Sequence, residues 1–159
     1  MAVLVLAGDQ VSKSLVLAAS PGSSAGGAVS VRLVRNTGAS FGIGAGHPLV
    51  IAATSVAVIA IVAGLLARTR SRAAALCLAA VLGGALGNLA DRLFRAPGLG
   101  RGAVVDWIHV SFYPATFNLA DLAIRVGAIG AVIAMLDIRV RGASWRARRS
   151  PADGPRQPS

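Results

Sequence analysis

The chain has 159 residues, of which 55% are hydrophobic and 14% charged, with a mean hydropathy of +0.68. A water-soluble domain of this size rarely combines that hydropathy with so few charges, and the apolar residues come in long runs, so the composition fits lipid as the solvent. The formal net charge of +10, from 16 basic and 6 acidic side chains, would direct a soluble protein towards nucleic acid. Here most arginines flank apolar runs, which is the pattern of membrane topology, and no nucleic-acid partner is expected.

Residues 2–19 form the first apolar segment, interrupted by Asp9, Gln10, Ser12, Lys13 and Ser14. Only eight residues precede Asp9, about 12 Å of helix, so with Asp9 in the outer half of a bilayer the inner half is thinly spanned. No cleavable signal peptide is predicted, because this segment lacks a basic start and is too polar in its middle. Residues 20–27, rich in Ser, Pro and Gly, read as a flexible turn, and the β-branched run 29–34 reads as a strand. Segments 48–67 and 73–90 are cleanly apolar, and 119–138 is apolar apart from Asp121, Arg125 and Asp137. About 20 residues at 1.5 Å each cross the roughly 30 Å hydrocarbon core, so the expected fold is membrane all-α with four transmembrane helices.

Arginine placement orients them. The link between the second and third segments carries Arg68, Arg70 and Arg72, and the C-terminal stretch carries Arg139, Arg141, Arg146, Arg148, Arg149 and Arg156. Four spans put both on one side, which the arginines mark as cytoplasmic, with both termini inside and regions 20–47 and 92–116 facing outward. Residues 1–149 are expected to form a single membrane domain, and 150–159 a disordered tail. Cys77 is the only cysteine, so no internal disulfide or cysteine metal cluster is expected.

Ionisable groups at membrane depth are costly, and each is a candidate for function. They fall in the clusters Asp9-Gln10-Val11-Ser12-Lys13, Asn36-Thr37-Gly38-Ala39-Ser40-Phe41-Gly42, Gly87-Asn88-Leu89-Ala90-Asp91-Arg92, and Val104-Val105-Asp106 with Phe117-Asn118-Leu119-Ala120-Asp121. The third span ends near Asn88 and Asp91 where the fourth begins near Asn118 and Asp121. Asn88, Asp91 and Arg92 are expected on one helical face. Asp106, read as part of an outer loop, can fold back, so Asp106 and Asp121 can meet at the outer interface. Two close carboxylates share a proton: the ionised one activates water and the protonated one polarises a carbonyl, which suffices for peptide hydrolysis.

Plainer readings compete at each cluster. Asn118 with Asp121 fits a reciprocal helix cap, Asp9 with Lys13 an intrahelical ion pair, Asp91-Arg92 a helix-end pair and Asn36-Thr37-Gly38 a turn. Ser12 with Lys13 leaves a faint Ser/Lys nucleophile, whereas His47 and His109 lack metal-ligand spacing, so neither a metal nor a cofactor is expected.

Taken together and in order, these blocks resemble lipoprotein signal peptidase, or signal peptidase II, from Asp9 to about Gly127. The resemblance implies four transmembrane helices with a small outer β-cradle and a short outer helix or loop. It implies an aspartic peptidase of the cell membrane that cleaves prolipoproteins before their diacylglyceryl-modified cysteine. Asp106 and Asp121 would be its catalytic dyad. Asn36, Asn88, Asp91, Arg92 and Asn118 would bind substrate or brace the dyad, and Asp9 with Lys13 would support the frame. A monomer and inhibition by globomycin-type compounds are expected on the same basis. Two features depart from the family. The stretch 92–106, with Pro97, Gly98, Gly100 and Gly102, is long, and Arg125 stands where an apolar residue is expected. Facing the dyad, Arg125 would favour an ionised Asp121; otherwise it turns to another polar group or the interface. The rival functions are a small transporter or channel with an Asp-lined site and a non-catalytic membrane scaffold.

Overall fold

A computed structural model describes residues 1–19, 27–38 and 46–148, with side chains as far as residue 136. The elements are α1 (Ala2–Ala19), β1 (Val29–Asn36), α2 (Pro48–Arg68), α3 (Arg72–Phe94), β2 (Val104–Val110), β3 (Thr116–Phe117) and α4 (Leu119–Arg148). Among the described residues four helices are long and apolar enough to cross a membrane, and the chain is a multi-pass membrane protein. Its outward surface carries large apolar side chains such as Val3, Leu4, Ile61, Ile129 and Val132, as a surface solvated by lipid requires. The expected turn at 20–27 lies almost entirely outside the described residues, and the tail at 150–159 wholly so.

Local chemistry fixes several helix ends. Pro48 opens α2, where its missing N–H costs no intrahelical bond. Ser71 caps α3, its hydroxyl accepting from the Ala74 N–H at 3.3 Å. Asn118 and Asp121 cap α4 reciprocally: the Asp121 N–H donates to Asn118 Oδ1 at 2.9 Å and the Asn118 N–H to Asp121 Oδ2 at 3.4 Å.

The helices assemble around α3, which packs against α1, α2 and α4. Two glycines set how closely. A Cβ on Gly84 would stand 2.5 Å from the Ala120 carbonyl of α4, and one on Gly87 2.5 Å from Asp9 Oδ2 of α1. The start of α1 lies against Gly83 of α3, where a Cβ would meet Ala2 and Val5. Away from the sheet, Val62 of α2, Leu78 and Val81 of α3 and Ala131 of α4 form an apolar core.

The three strands form an antiparallel sheet in the order β1-β2-β3. The strand expected at 29–34 continues to Asn36, and Val104-Val105-Asp106, expected in a loop, is strand. Val34 pairs with Asp106 and Asn36 with Val104, while a bulge between Val31 and Val34 sets Arg32 and Leu33 against Trp107. The physical reason for the correction is the β-branched and aromatic run Val104–Val110, which pairs with β1 despite the glycine-rich approach. That approach is a closed turn in which Gly98 and Gly100 adopt φ of +80° and +81° and the Gly102 N–H donates to the Arg92 carbonyl at 3.0 Å. Among the described residues the outer region is sheet and turn, with no short helix.

Candidate active site

The site is built outward from a buried ionic cluster. Lys13 Nζ lies 2.7 Å from Asp9 Oδ2 and 2.8 Å from Asp91 Oδ2, and all three side chains are fully buried. Arg95 Nε adds a 2.6 Å ion pair to Asp91 Oδ1, and Gln10 Nε2 donates to the same oxygen at 3.1 Å. Remaining acceptor positions take backbone: Ala120 N–H donates to Asp9 Oδ1 at 3.0 Å and Val105 N–H to Asp91 Oδ2 at 3.2 Å. Thus α1, α3, the start of α4 and the strand carrying Asp106 are fastened to one charge-compensated node, the form in which buried ions are tolerable.

Three asparagines carry order from that node to two carboxylates. Lys13 Nζ donates to Asn88 Oδ1 at 3.0 Å, and Asn88 Nδ2 donates to Asp121 Oδ1 at 2.9 Å. Asn118 Nδ2 reaches Asp106 Oδ1 at 2.6 Å and Asn88 Oδ1 at 3.2 Å. Asn36 Nδ2 holds the other Asp106 oxygen at 3.1 Å, while Asn36 Oδ1 accepts from the Gly38 N–H at 3.0 Å. The Asn-Thr-Gly segment is therefore a turn and a carboxylate clamp at once; Ala39 to Gly42 lie outside the described residues.

Asp106, Asp121, Asn36, Asn88 and Arg92 line one cavity of about 280 Å³. Its lining includes Ile51, Thr54, Ser55 and Val58 of α2 and Asp121, Ile124 and Arg125 of α4. Asn118 is buried behind it. Burial and the nearby Asp121 carboxylate push the Asp106 carboxyl up to about 6, against the opposing hydrogen bonds from Asn36 and Asn118. Asp121 stands in the first turn of α4, where the helix favours negative charge.

Other expected residues separate. Asp91 does not share the cavity with Asn88 and Arg92; it turns to the Lys13 node. Nor does it pair with Arg92, whose guanidinium donates to the carbonyls of Asn88 at 3.1 Å and Gly38 at 2.9 Å. The ion pair of Asp91 within α3 is with Arg95, which the i, i+4 spacing could have signalled. Lys13 is held between carboxylates while Ser12 Oγ donates to the Asp9 carbonyl at 2.8 Å, so they are not arranged as nucleophile and base. Arg125 lines the cavity, but its guanidinium carbon sits 5.6 Å from the Tyr113 ring centre and 5.7 Å from that of Phe117. Thr54 and Ser55 carry no functional signal in the sequence, since hydroxyls in an apolar helix ordinarily bond their own backbone, as these do.

The sequence model of the signal peptidase II family matches residues 1–137. Similar proteins include the lipoprotein signal peptidase of Leifsonia xyli subsp. xyli, 38% identical over 158 residues, covering 97% of this chain and 72% of that protein. That of Rhodococcus jostii is 44% identical over 140 residues, covering 86% and 70%. Among solved structures, a bacterial membrane enzyme determined by the in meso method at 2.3 Å resolution shares the fold. It superimposes with a TM-score of 0.73 at 22% identity, covering 98% of this chain and 92% of that one.

Proposed function

Because the chain belongs to the signal peptidase II family, we propose that it cuts prolipoproteins immediately before their diacylglyceryl-modified cysteine, with Asp106 and Asp121 as the catalytic pair. The observation that carries this reading is the placement of both carboxylates, from β2 and from the first turn of α4, on one cavity between α2 and α4. The cavity is backed by asparagines whose side chains donate to three of the four carboxylate oxygens.

The chemistry follows from the two environments. Asp121, ionised, takes a proton from a water that attacks the scissile carbonyl carbon. Asp106, protonated, donates to the carbonyl oxygen, giving a tetrahedral diol. Asp121 then returns its proton to the departing amine as the C–N bond breaks, and Asp106 recovers a proton from the diol as the new carboxyl forms. No covalent enzyme intermediate is required.

The arginine pattern supports both termini on the cytoplasmic side of the cell membrane and the cavity near its outer face. The lipid-modified cysteine would reach it laterally between α2 and α4, its acyl chains remaining in the bilayer. The chain works as a monomer on this reading, since every group invoked belongs to one copy, and globomycin-type compounds would occupy the same cavity. A transporter or channel would need acidic groups along a path, whereas Asp9 and Asp91 are neutralised by Lys13 and Arg95 beside the pair.

The direct test is incubation of the purified chain with a prolipoprotein carrying a diacylglyceryl cysteine and with its unmodified form. Mass spectrometry should locate one cut, before the modified cysteine only. Equal cleavage of both forms, or none of either, contradicts the assignment.

A further inference from the structure

Arg125 is a cation on α4 that the peptidase chemistry does not use. It lies one turn, about 6 Å, further along the helix than Asp121, among the lining of the same cavity. A guanidinium at that depth is costly unless it finds charge or dipoles. Tyr113 and Phe117, packed edge-to-face with ring centres 6.1 Å apart, offer it their π faces. That contact consumes none of its five N–H donors. Among the described residues no ion pair or hydrogen bond engages them either. The other cavity arginine, Arg92, already donates to two carbonyls.

The α2 residues lining the same cavity are complementary in what they lack. Thr54 and Ser55 on α2 spend their hydroxyl hydrogens on the carbonyls of Val50 and Ile51, both at 2.8 Å, and turn only lone pairs outward. Of the two arginines that line the cavity, Arg125 is thus the one with its donors uncommitted among the described residues, available to a ligand's acceptor oxygens, with Ile51, Val58 and Ile124 to receive what is apolar. A diacylglyceryl cysteine has that profile. Beyond its thioether come two ester carbonyls and then hydrocarbon, and the few bonds between the cleaved peptide and the first ester span a length comparable to one helical turn.

We infer that Arg125, oriented by Tyr113 and Phe117, binds the ester carbonyls of the substrate's diacylglyceryl group and so fixes the depth at which the lipid-modified cysteine presents its peptide bond to the carboxylates. This rests on the peptidase reading. Arg125 is a specificity-determining residue and takes no part in proton transfer.

The test pairs two substrates, a diacylglyceryl (diester) peptide and its dialkyl (diether) analogue without carbonyls, with the parent chain, Arg125→Gln and Arg125→Lys. On the diester, Arg125→Gln should raise KM about tenfold, the worth of one charge-assisted hydrogen bond, with kcat within about twofold, and Arg125→Lys should fall between. On the diether, the parent and Arg125→Gln should become equal. An unchanged KM for Arg125→Gln, or the same penalty on both substrates, overturns the inference. So does a parent KM that ignores the ester but rises with added phosphatidylglycerol only while Arg125 is present, which would assign the cation to a phospholipid phosphate. A parent chain that cuts neither substrate overturns the peptidase reading itself.

Discussion

Asn118, the residue that caps α4, donates to Asp106 of β2 at 2.6 Å and so ties together the strand and the helix that carry the two carboxylates. The same side chain accepts from the Asp121 N–H at 2.9 Å as the cap of α4. The capping reading and the catalytic reading of the Asn-Leu-Ala-Asp segment are therefore both true, because one asparagine ends the helix and spaces the carboxylates. Asn118→Ala should lower kcat/KM about tenfold to a hundredfold, as loss of a hydrogen bond to a carboxylate, and cost about 1 kcal/mol of stability as loss of a cap. Kinetics and thermal unfolding on the same preparation check both; an activity loss no larger than the stability loss implies would make Asn118 a cap alone.

The raised Asp106 carboxyl gives two pH signatures. Above about 6 it ionises beside Asp121, so the proton donor is lost and kcat/KM should fall on that alkaline side. The folded value lies above the ordinary 3.8, so the unfolded chain releases this proton first as pH rises. Stability should then decline between about 4 and 6 and level off above. Asp106→Asn should lack that decline in thermal unfolding measured across the range. A parent activity profile flat from pH 5 to about 8 would contradict the shared proton.

Much of this was legible. Lipid as solvent demands long apolar runs, so the helices show in composition, and the i, i+4 spacing of Asp9 and Lys13 announces their pair. What the chain order conceals is the third partner: Asp91 reaches Lys13 only because Gly87 lets α1 lie against α3. Asp106 falls in the outer connection between the third and fourth spans, which by itself reads as loop, yet Val104–Val110 is composed of strand formers once β1 is available to pair. Arg125 could not be placed at all from its own helix, since Tyr113 lies on the connection between β2 and β3.

Lys13 is the keystone of the ionic node. Lys13→Met leaves Asp9 and Asp91 buried without their shared cation, and breaking such a pair costs about 3–5 kcal/mol. The variant should accumulate poorly and unfold at markedly lower temperature in detergent. Parent-like unfolding would show that the node is dispensable for the fold.

Gly87→Ala tests the helix approach directly. The added methyl would meet the Asp9 carboxylate, which is fixed on its other side by Lys13 and the Ala120 N–H. Overpacking of this kind costs about 1–3 kcal/mol, and activity should fall with it, since Ala120 adjoins Asp121. Unaltered stability and rate would mean that α1 yields without disturbing α4.

The central claim is that Asp106 and Asp121 perform the hydrolysis together. Asp106→Asn and Asp121→Asn should each be made and assayed for cleavage of a diacylglyceryl-modified prolipoprotein in membranes where the protein is shown to insert. Each substitution should reduce cleavage at least about a hundredfold while accumulation stays near that of the parent. Cleavage by either variant near the parent rate would show that aspartate to be structural and contradict the two-carboxylate mechanism.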